Sequence, residues 1–126
     1  MRALIDTHVF LWWAKGDHRL PRRVLDILQN PRSDLIFSMA SVWEAALKAD
    51  RIGMIEDLEA LLTRATSLLR ISILAVELRH AIMSARLPFL HRDPFDRMLI
   101  AQANIENIPI ITADQAIARY PVRVIW

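Results

Sequence analysis

The chain has 126 residues, of which 54% are hydrophobic and 24% charged, a composition typical of a globular domain with one core. It has no cysteine, which excludes a disulfide framework and a thiolate metal site, and no apolar run long enough for a membrane span or signal peptide. We therefore expect a cytoplasmic protein without a membrane partner. Its net charge of +2 permits nucleic-acid binding without requiring it.

Short apolar segments alternate with amphipathic ones along the whole chain. The sequence predicts strands at residues 2–6, 35–38, 71–73, 109–112 and 122–125, and helices at about 7–14, 21–29, 42–50, 56–68, 76–86, 94–106 and 115–119. This alternation is typical of the α/β class, in which a parallel sheet is covered by helices on both faces. With no repeat, linker or low-complexity tract, residues 1–126 are expected to form a single domain.

Four acidic residues are candidates for the carboxyl edge of that sheet, where open parallel sheets place their sites. Asp6 ends the first strand, and Asp114 follows the strand that ends at Thr112. Glu44 is expected in the first turn of the helix after the second strand. Asp96 falls in the first turn of its helix, on the same face as apolar residues at i+3, i+4 and i+7. An inward carboxylate of this kind requires a partner, a proton or a metal.

Structural explanations of these acids remain open beside the functional one. Glu44 stands three residues after Ser41, as in a capping box, and Asp114 could cap the short helix that follows it. Asp93 precedes Pro94 and suits the N-cap of the next helix. Asp6 is the hardest to explain structurally, because it lies within so apolar a segment.

Carboxylates that converge in one cleft repel one another and remain ionised only beside cations. Oxygen ligands favour Mg²⁺ or Mn²⁺ over zinc, and such a metal beside a phosphodiester implies metal-assisted hydrolysis. Other sites are not supported, since the chain has only two glycines and neither an H-x-x-x-H nor a G-x-S-x-G pattern. Arg92 and Arg97 could form a solvated helix face or a phosphate-contacting rim, and His91 could lie near a substrate.

Four segments, residues 4–8, 41–44, 91–97 and 111–114, together resemble the PIN-domain family, and the VapC-type toxins of bacterial toxin–antitoxin pairs most closely. The resemblance runs from end to end of the chain with the motifs in the same order. It implies an α/β/α sandwich with a central parallel sheet. It further implies an endoribonuclease dependent on Mg²⁺ or Mn²⁺, which hydrolyses RNA by metal-activated water and leaves 5′-phosphate and 3′-hydroxyl ends.

The resemblance also assigns residues and partners. The metal-site acids of the family match Asp6, Glu44, Asp96 and Asp114 here, and Asp93 matches an acid of less certain role. Thr112 matches a supporting hydrogen-bonding position, and His8 stands where many relatives have Asn or Ser. For a nuclease, the residues beside the acidic motif that could contact RNA are Arg97, Arg92 and His91. A homodimer is implied, as is a cognate antitoxin that covers the acidic cleft.

Two other functions are alternatives to the nuclease. A PIN-like interaction module without catalysis would often have lost part of the acidic set, which is complete here. A phosphatase with an aspartyl nucleophile needs a D-x-D motif after the first strand, and Asp6-Thr7-His8 lacks it.

Overall fold

The computed structural model describes residues 1–51, 53 and 56–126. The strands are β1 (Arg2–Ile5), β2 (Asp34–Ser38), β3 (Ile71–Leu74), β4 (Ile110–Ile111) and β5 (Val124–Ile125). The α-helices are α1 (Thr7–Lys15), α2 (Arg22–Gln29), α3 (Met39–Leu47), α4 (Leu58–Leu69), α5 (Leu78–Arg86) and α6 (Pro94–Glu106), with a 3₁₀ turn at Ile117–Arg119. No described helix is long and apolar enough to cross a membrane.

The strands form one sheet in the order β3-β2-β1-β4-β5, and every strand pairing among the described residues is parallel. Strand β1 lies at the centre, where Leu4 is in register with Ile36 of β2 and with Ile110 of β4. Its apolar side chains are fully buried, as expected for a strand covered on both faces. The prediction of an α/β fold with a central parallel sheet is therefore confirmed.

Two apolar cores lie on opposite faces of the sheet. One contains side chains of α1, α2 and α4, among them Phe10, whose ring centroid is 4.4 Å from that of Phe37 in β2. The other contains Leu99 and Ile100 of α6 packed with Leu4. Alternate residues of β1 thus point into different cores, which makes the fold an α/β/α sandwich.

Helix α3 begins earlier than the sequence predicted, and this changes the position of Glu44. The expected start was residue 42 with Ser41 as the cap, but the helix begins at Met39, directly after β2. The N-cap is Ser38, whose hydroxyl accepts the Ala40 N–H at 3.0 Å, and Ser41 instead accepts a hydrogen bond from the hydroxyl of Thr7. Glu44 therefore lies inside the helix, and the capping-box explanation of this acid is wrong.

The C-terminal elements are shorter than predicted. The helix expected at 115–119 is a turn followed by the 3₁₀ segment, and Asp114 accepts the Ala116 N–H at 2.8 Å within that turn. The last strand covers only Val124–Ile125, because β5 pairs with the short strand β4 alone.

We expect Ser38→Ala to lower the free energy of unfolding by about 1 kcal/mol, because the start of α3 loses its side-chain cap. Urea denaturation followed by circular dichroism measures the change. Ser67→Ala, on the exposed face of α4, is the matched control and should stay within about 0.5 kcal/mol of the parent. Equal stability of Ser38→Ala and the parent would contradict this assignment of the cap.

Candidate metal centre

Three of the four predicted acids follow strands β1, β2 and β4, and the fourth lies near the start of helix α6. Asp6 comes directly after β1 and is the N-cap of α1, while Asp114 is the third residue after β4. Glu44 is carried by α3, which follows β2, and Asp96 by the first turn of α6. The charges of Asp6 and Glu44 both act to raise the pKa of Asp96, so the fold places these three acids close enough to interact electrostatically.

Asp6 is held in place by hydroxyl and amide donors. The carboxylate is 4% exposed, and its Oδ2 accepts a hydrogen bond of 2.6 Å from the Thr112 hydroxyl. The same hydroxyl oxygen accepts the Asp114 N–H at 3.0 Å, so Thr112 connects the loops that carry two of the acids. The supporting position that the family resemblance gave to Thr112 thus corresponds to a direct contact with Asp6.

Glu44 has one oxygen paired and one oxygen free among the described residues. Its Oε2 accepts a hydrogen bond of 2.7 Å from the ammonium group of Lys48, and this bond raises the pKa of Lys48. Its Oε1 is buried and has no hydrogen-bond partner in the part of the chain that the structure describes. A buried carboxylate oxygen without a donor is costly, and a bound cation would satisfy it.

Asp96 has the most strongly altered acidity in the site. Burial, followed by the charges of Asp6 and Asp93, raises its pKa to about 7, and the positive influence of His91 only partly opposes this. The inward orientation that the sequence pattern predicted is therefore present, since Asp96 is 7% exposed. Without a metal, this carboxylate is partly protonated near neutral pH.

His91 lies between two of the acids, a position that the sequence did not reveal. Its Nε2 is 3.0 Å from Oδ2 of Asp96 and 2.9 Å from Oδ2 of Asp114. Burial acts to raise the pKa of Asp114, but the hydrogen bonds from His91 and Ala116 outweigh it and the pKa is lowered. The sequence predicted His91 as an RNA contact, and only its proximity to Asp93 indicated a place near the acids.

Asp93 accepts the N–H groups of Phe95 at 2.8 Å and Asp96 at 3.3 Å, as the N-cap of α6, with Pro94 as the first helical residue. This is the structural role that the sequence favoured. With Oδ1 engaged in the cap, we assign Asp93 to the start of the helix, where its charge also acts on Asp96.

The two arginines of the motif have different environments. Arg97 is 6% exposed, and its guanidinium donates to the carbonyl oxygens of Pro88, Ser84 and Leu87 at 2.8–2.9 Å. This burial is at odds with the RNA contact expected of Arg97, because its donors are already used within the protein. Arg92 is exposed and remains a candidate for contact with RNA.

His8 lies at the cleft beside Asp6, and its side chain is exposed. Its Nδ1 is 3.8 Å from Oδ1 of Asp6, and the interaction with that carboxylate is the main cause of the raised pKa of His8. Together with Asp6, Trp12 and Asp114 it lines an open cleft at this edge of the sheet.

The residues of the site fit a hard divalent cation. Carboxylate oxygens are the ligands that Mg²⁺ and Mn²⁺ prefer, and Glu44 Oε1 is buried without a protein donor among the described residues. Burial, together with the charges of Asp6 and Asp93, raises the pKa of Asp96, and a bound cation would oppose this rise.

We predict that the metal-free protein loses stability as the pH rises from about 4 to about 7. Since the pKa of Asp96 is raised to about 7 in the folded state, its stabilising contribution is fully present below the unfolded pKa and is lost through that window. Urea unfolding in EDTA at pH 5 and pH 8 measures this slope. Asp96→Asn should reduce the slope, and an unchanged slope would contradict the raised pKa.

Comparison with known proteins gives two kinds of likeness. The family model described as "PIN domain" matches residues 3–122. The fold is similar to VapBC2 of Rickettsia felis bound to a promoter DNA fragment, with a TM-score of 0.76, 14% identity and coverage of 99% of this chain and 98% of that one. It is also similar to DNA-bound VapBC of Salmonella typhimurium, with a TM-score of 0.68, 16% identity and coverage of 99% and 97%.

A search of curated proteins gave no significant match. The structural likeness, at 14% and 16% identity, shows the fold, whereas the family model covers nearly the whole chain. The parallel sheet and its acidic edge agree with this match, and the chain therefore belongs to the PIN domain family.

Proposed function

We propose that this chain is a metal-dependent endoribonuclease and the VapC-type toxin of a type II toxin–antitoxin pair. The observation that carries the proposal is the buried acidic edge, where Glu44 Oε1 has no protein donor among the described residues and the pKa of Asp96 is raised to about 7. Such a cluster favours a divalent cation, and PIN domains are generally nucleases.

Asp6, Glu44, Asp96 and Asp114 would hold Mg²⁺ or Mn²⁺ directly or through water, with Thr112 fixing Asp6. The bound ion would lower the pKa of water and stabilise the charge on the leaving oxygen of the phosphodiester. The chain's own residues orient the carboxylates and exclude bulk water from their inner side. Exposed Arg92 is suited to contact the RNA backbone.

A cognate antitoxin is the expected protein partner. The two similar solved structures are both VapBC assemblies with DNA, and the likeness extends over nearly the full length of each matched chain. The cleft beside Asp6 combines carboxylates with the ring of Trp12, so a basic segment with apolar side chains would complement it. We propose that such a segment covers this cleft.

A homodimer is supported by an apolar surface on α3 and the adjoining start of α6. Met39, Trp43 and Leu47 form an exposed stripe at i, i+4 and i+8 of α3, and Met39 and Trp43 line an apolar groove with Phe95 and Met98. Contiguous apolar surface of this kind marks an interaction site on a water-soluble domain. We propose that a second copy of the chain covers it.

An inactive interaction module is the second candidate. It is favoured only by the exposed apolar surface, which the dimer accounts for equally well. The retained acids favour the enzyme, because four carboxylates brought together without a catalytic role would only destabilise the fold.

Purified protein should cleave single-stranded RNA in the presence of Mg²⁺ or Mn²⁺, and EDTA should abolish the cleavage. Asp6→Asn should lower the rate by about 100-fold or more, because loss of metal-based charge stabilisation is worth several kcal/mol. A denaturing gel with end-labelled RNA measures both effects. Asp26→Asn, an exposed acid of α2, is the matched control and should retain the parent rate. Equal rates of Asp6→Asn and the parent would refute the nuclease.

The parent should elute as a dimer in size-exclusion chromatography with light scattering, and Trp43→Glu should shift it to the monomer. Leu68→Glu places the same charge on an equally exposed apolar residue, since Trp43 is 61% and Leu68 62% exposed, but on α4. This control should leave the dimer intact. Dissociation by both substitutions, or by neither, would contradict the assigned interface.

A further inference from the structure

The loop that carries His91 is anchored by two buried side chains. The Tyr120 hydroxyl accepts the N–H groups of Leu90 at 3.0 Å and His91 at 2.9 Å, and it donates to the Pro88 carbonyl. Arg97 donates to the carbonyls of Pro88 at 2.9 Å and His91 at 3.4 Å. A buried guanidinium that binds several carbonyl oxygens fixes them firmly, because releasing any of them would leave buried donors unpaired.

The ring of His91 is fixed as well, in one tautomer. Its Nδ1 faces the backbone N–H of Asp93 at 3.2 Å and can only accept there. The proton of the neutral ring must then be on Nε2. That N–H points to Oδ2 of both Asp96 and Asp114, at 3.0 and 2.9 Å.

We propose that His91 is a positioning residue of the metal centre, whose Nε2–H donor holds the carboxylates of Asp96 and Asp114 side by side in the arrangement that binds the ion. Arg97 and Tyr120 fix the backbone of His91 for this purpose. The proposal rests on the proposed function, since it assigns the ion to these carboxylates. Hydrogen bonds of this kind to ligating groups commonly determine metal affinity.

Direct ligation by His91 is the competing assignment. The three side chains His91, Asp96 and Asp114 lie close enough to share one ion. Ligation through Nε2 would require the ring proton to move to Nδ1, where it would face the Asp93 N–H across 3.2 Å. The anchored loop therefore favours the donor role, because two N–H groups directed at each other lose a hydrogen bond.

Two neutral amide substitutions separate the roles. In His91→Gln the side-chain NH₂ can reach the position of Nε2, whereas in His91→Asn it reaches only the position of Nδ1. Titration calorimetry with Mn²⁺ should show an affinity roughly 10–100-fold below the parent for His91→Asn, and a much smaller loss for His91→Gln. Equal losses in both variants, or none in either, would overturn the proposal.

Nitrogen-15 NMR of the histidine rings gives a readout that does not depend on activity. The chain has four histidines, and the His91 signals are identified by their loss in His91→Gln. The parent should show a protonated Nε2 both without and with Mg²⁺. An unprotonated Nε2 in the presence of Mg²⁺ would make His91 a ligand and overturn the donor role.

Tyr120→Phe tests the anchor, because it removes the hydroxyl and leaves a ring of nearly the same volume. We expect weaker Mn²⁺ binding and a changed His91 ring signal, with the far-ultraviolet circular dichroism of the parent. Parent-like binding and ring signal would refute the anchoring role. If the Mn²⁺ affinities follow the expected order but no RNA is cleaved, the proposed function fails while the positioning role stands.

Discussion

Mutual repulsion among carboxylates at the carboxyl edge of the sheet is the constraint on which the rest of this structure depends. The parallel topology places Asp6 and Asp114 after adjacent strands, and α3 and α6 add Glu44 and Asp96. Three groups of the protein partly offset this repulsion by contacting the carboxylates, namely the Thr112 hydroxyl, the Lys48 ammonium and the His91 ring. Burial and the charges of neighbouring acids still raise the pKa of Asp96 to about 7, and a divalent cation would lower it.

The cores and the loops of the domain have different roles. The cores on either side of β1 fix the positions of the strand ends, and the loops beyond them carry the chemistry. Arg97 shows how closely the two are connected, because its burial stabilises the loop between α5 and α6 while that loop presents His91 to the acids. Trp43 of the apolar stripe on α3 is adjacent in sequence to Glu44, so a partner bound there would lie beside the site.

The strand pattern and three of the acids could be predicted from the sequence, because buried parallel strands are short apolar runs and their ends are marked by polar residues. The position of Glu44 within α3 could not be predicted. Ser38 and Ser41 are equally good caps by local rules, and only the end of β2 decides between them. The contacts of Arg97 and His91 could not be predicted either. They depend on Tyr120, a residue more than twenty positions away, and on loop carbonyls that follow no periodic pattern.

We propose that the four carboxylates share one divalent cation. Anomalous diffraction from a crystal soaked in Mn²⁺ tests it most directly, because the signal locates the ion without reference to activity. We expect a peak with Asp6, Asp96 and Asp114 around it and Glu44 Oε1 directed towards it. An empty acidic edge in a crystal that binds Mn²⁺ elsewhere would contradict it.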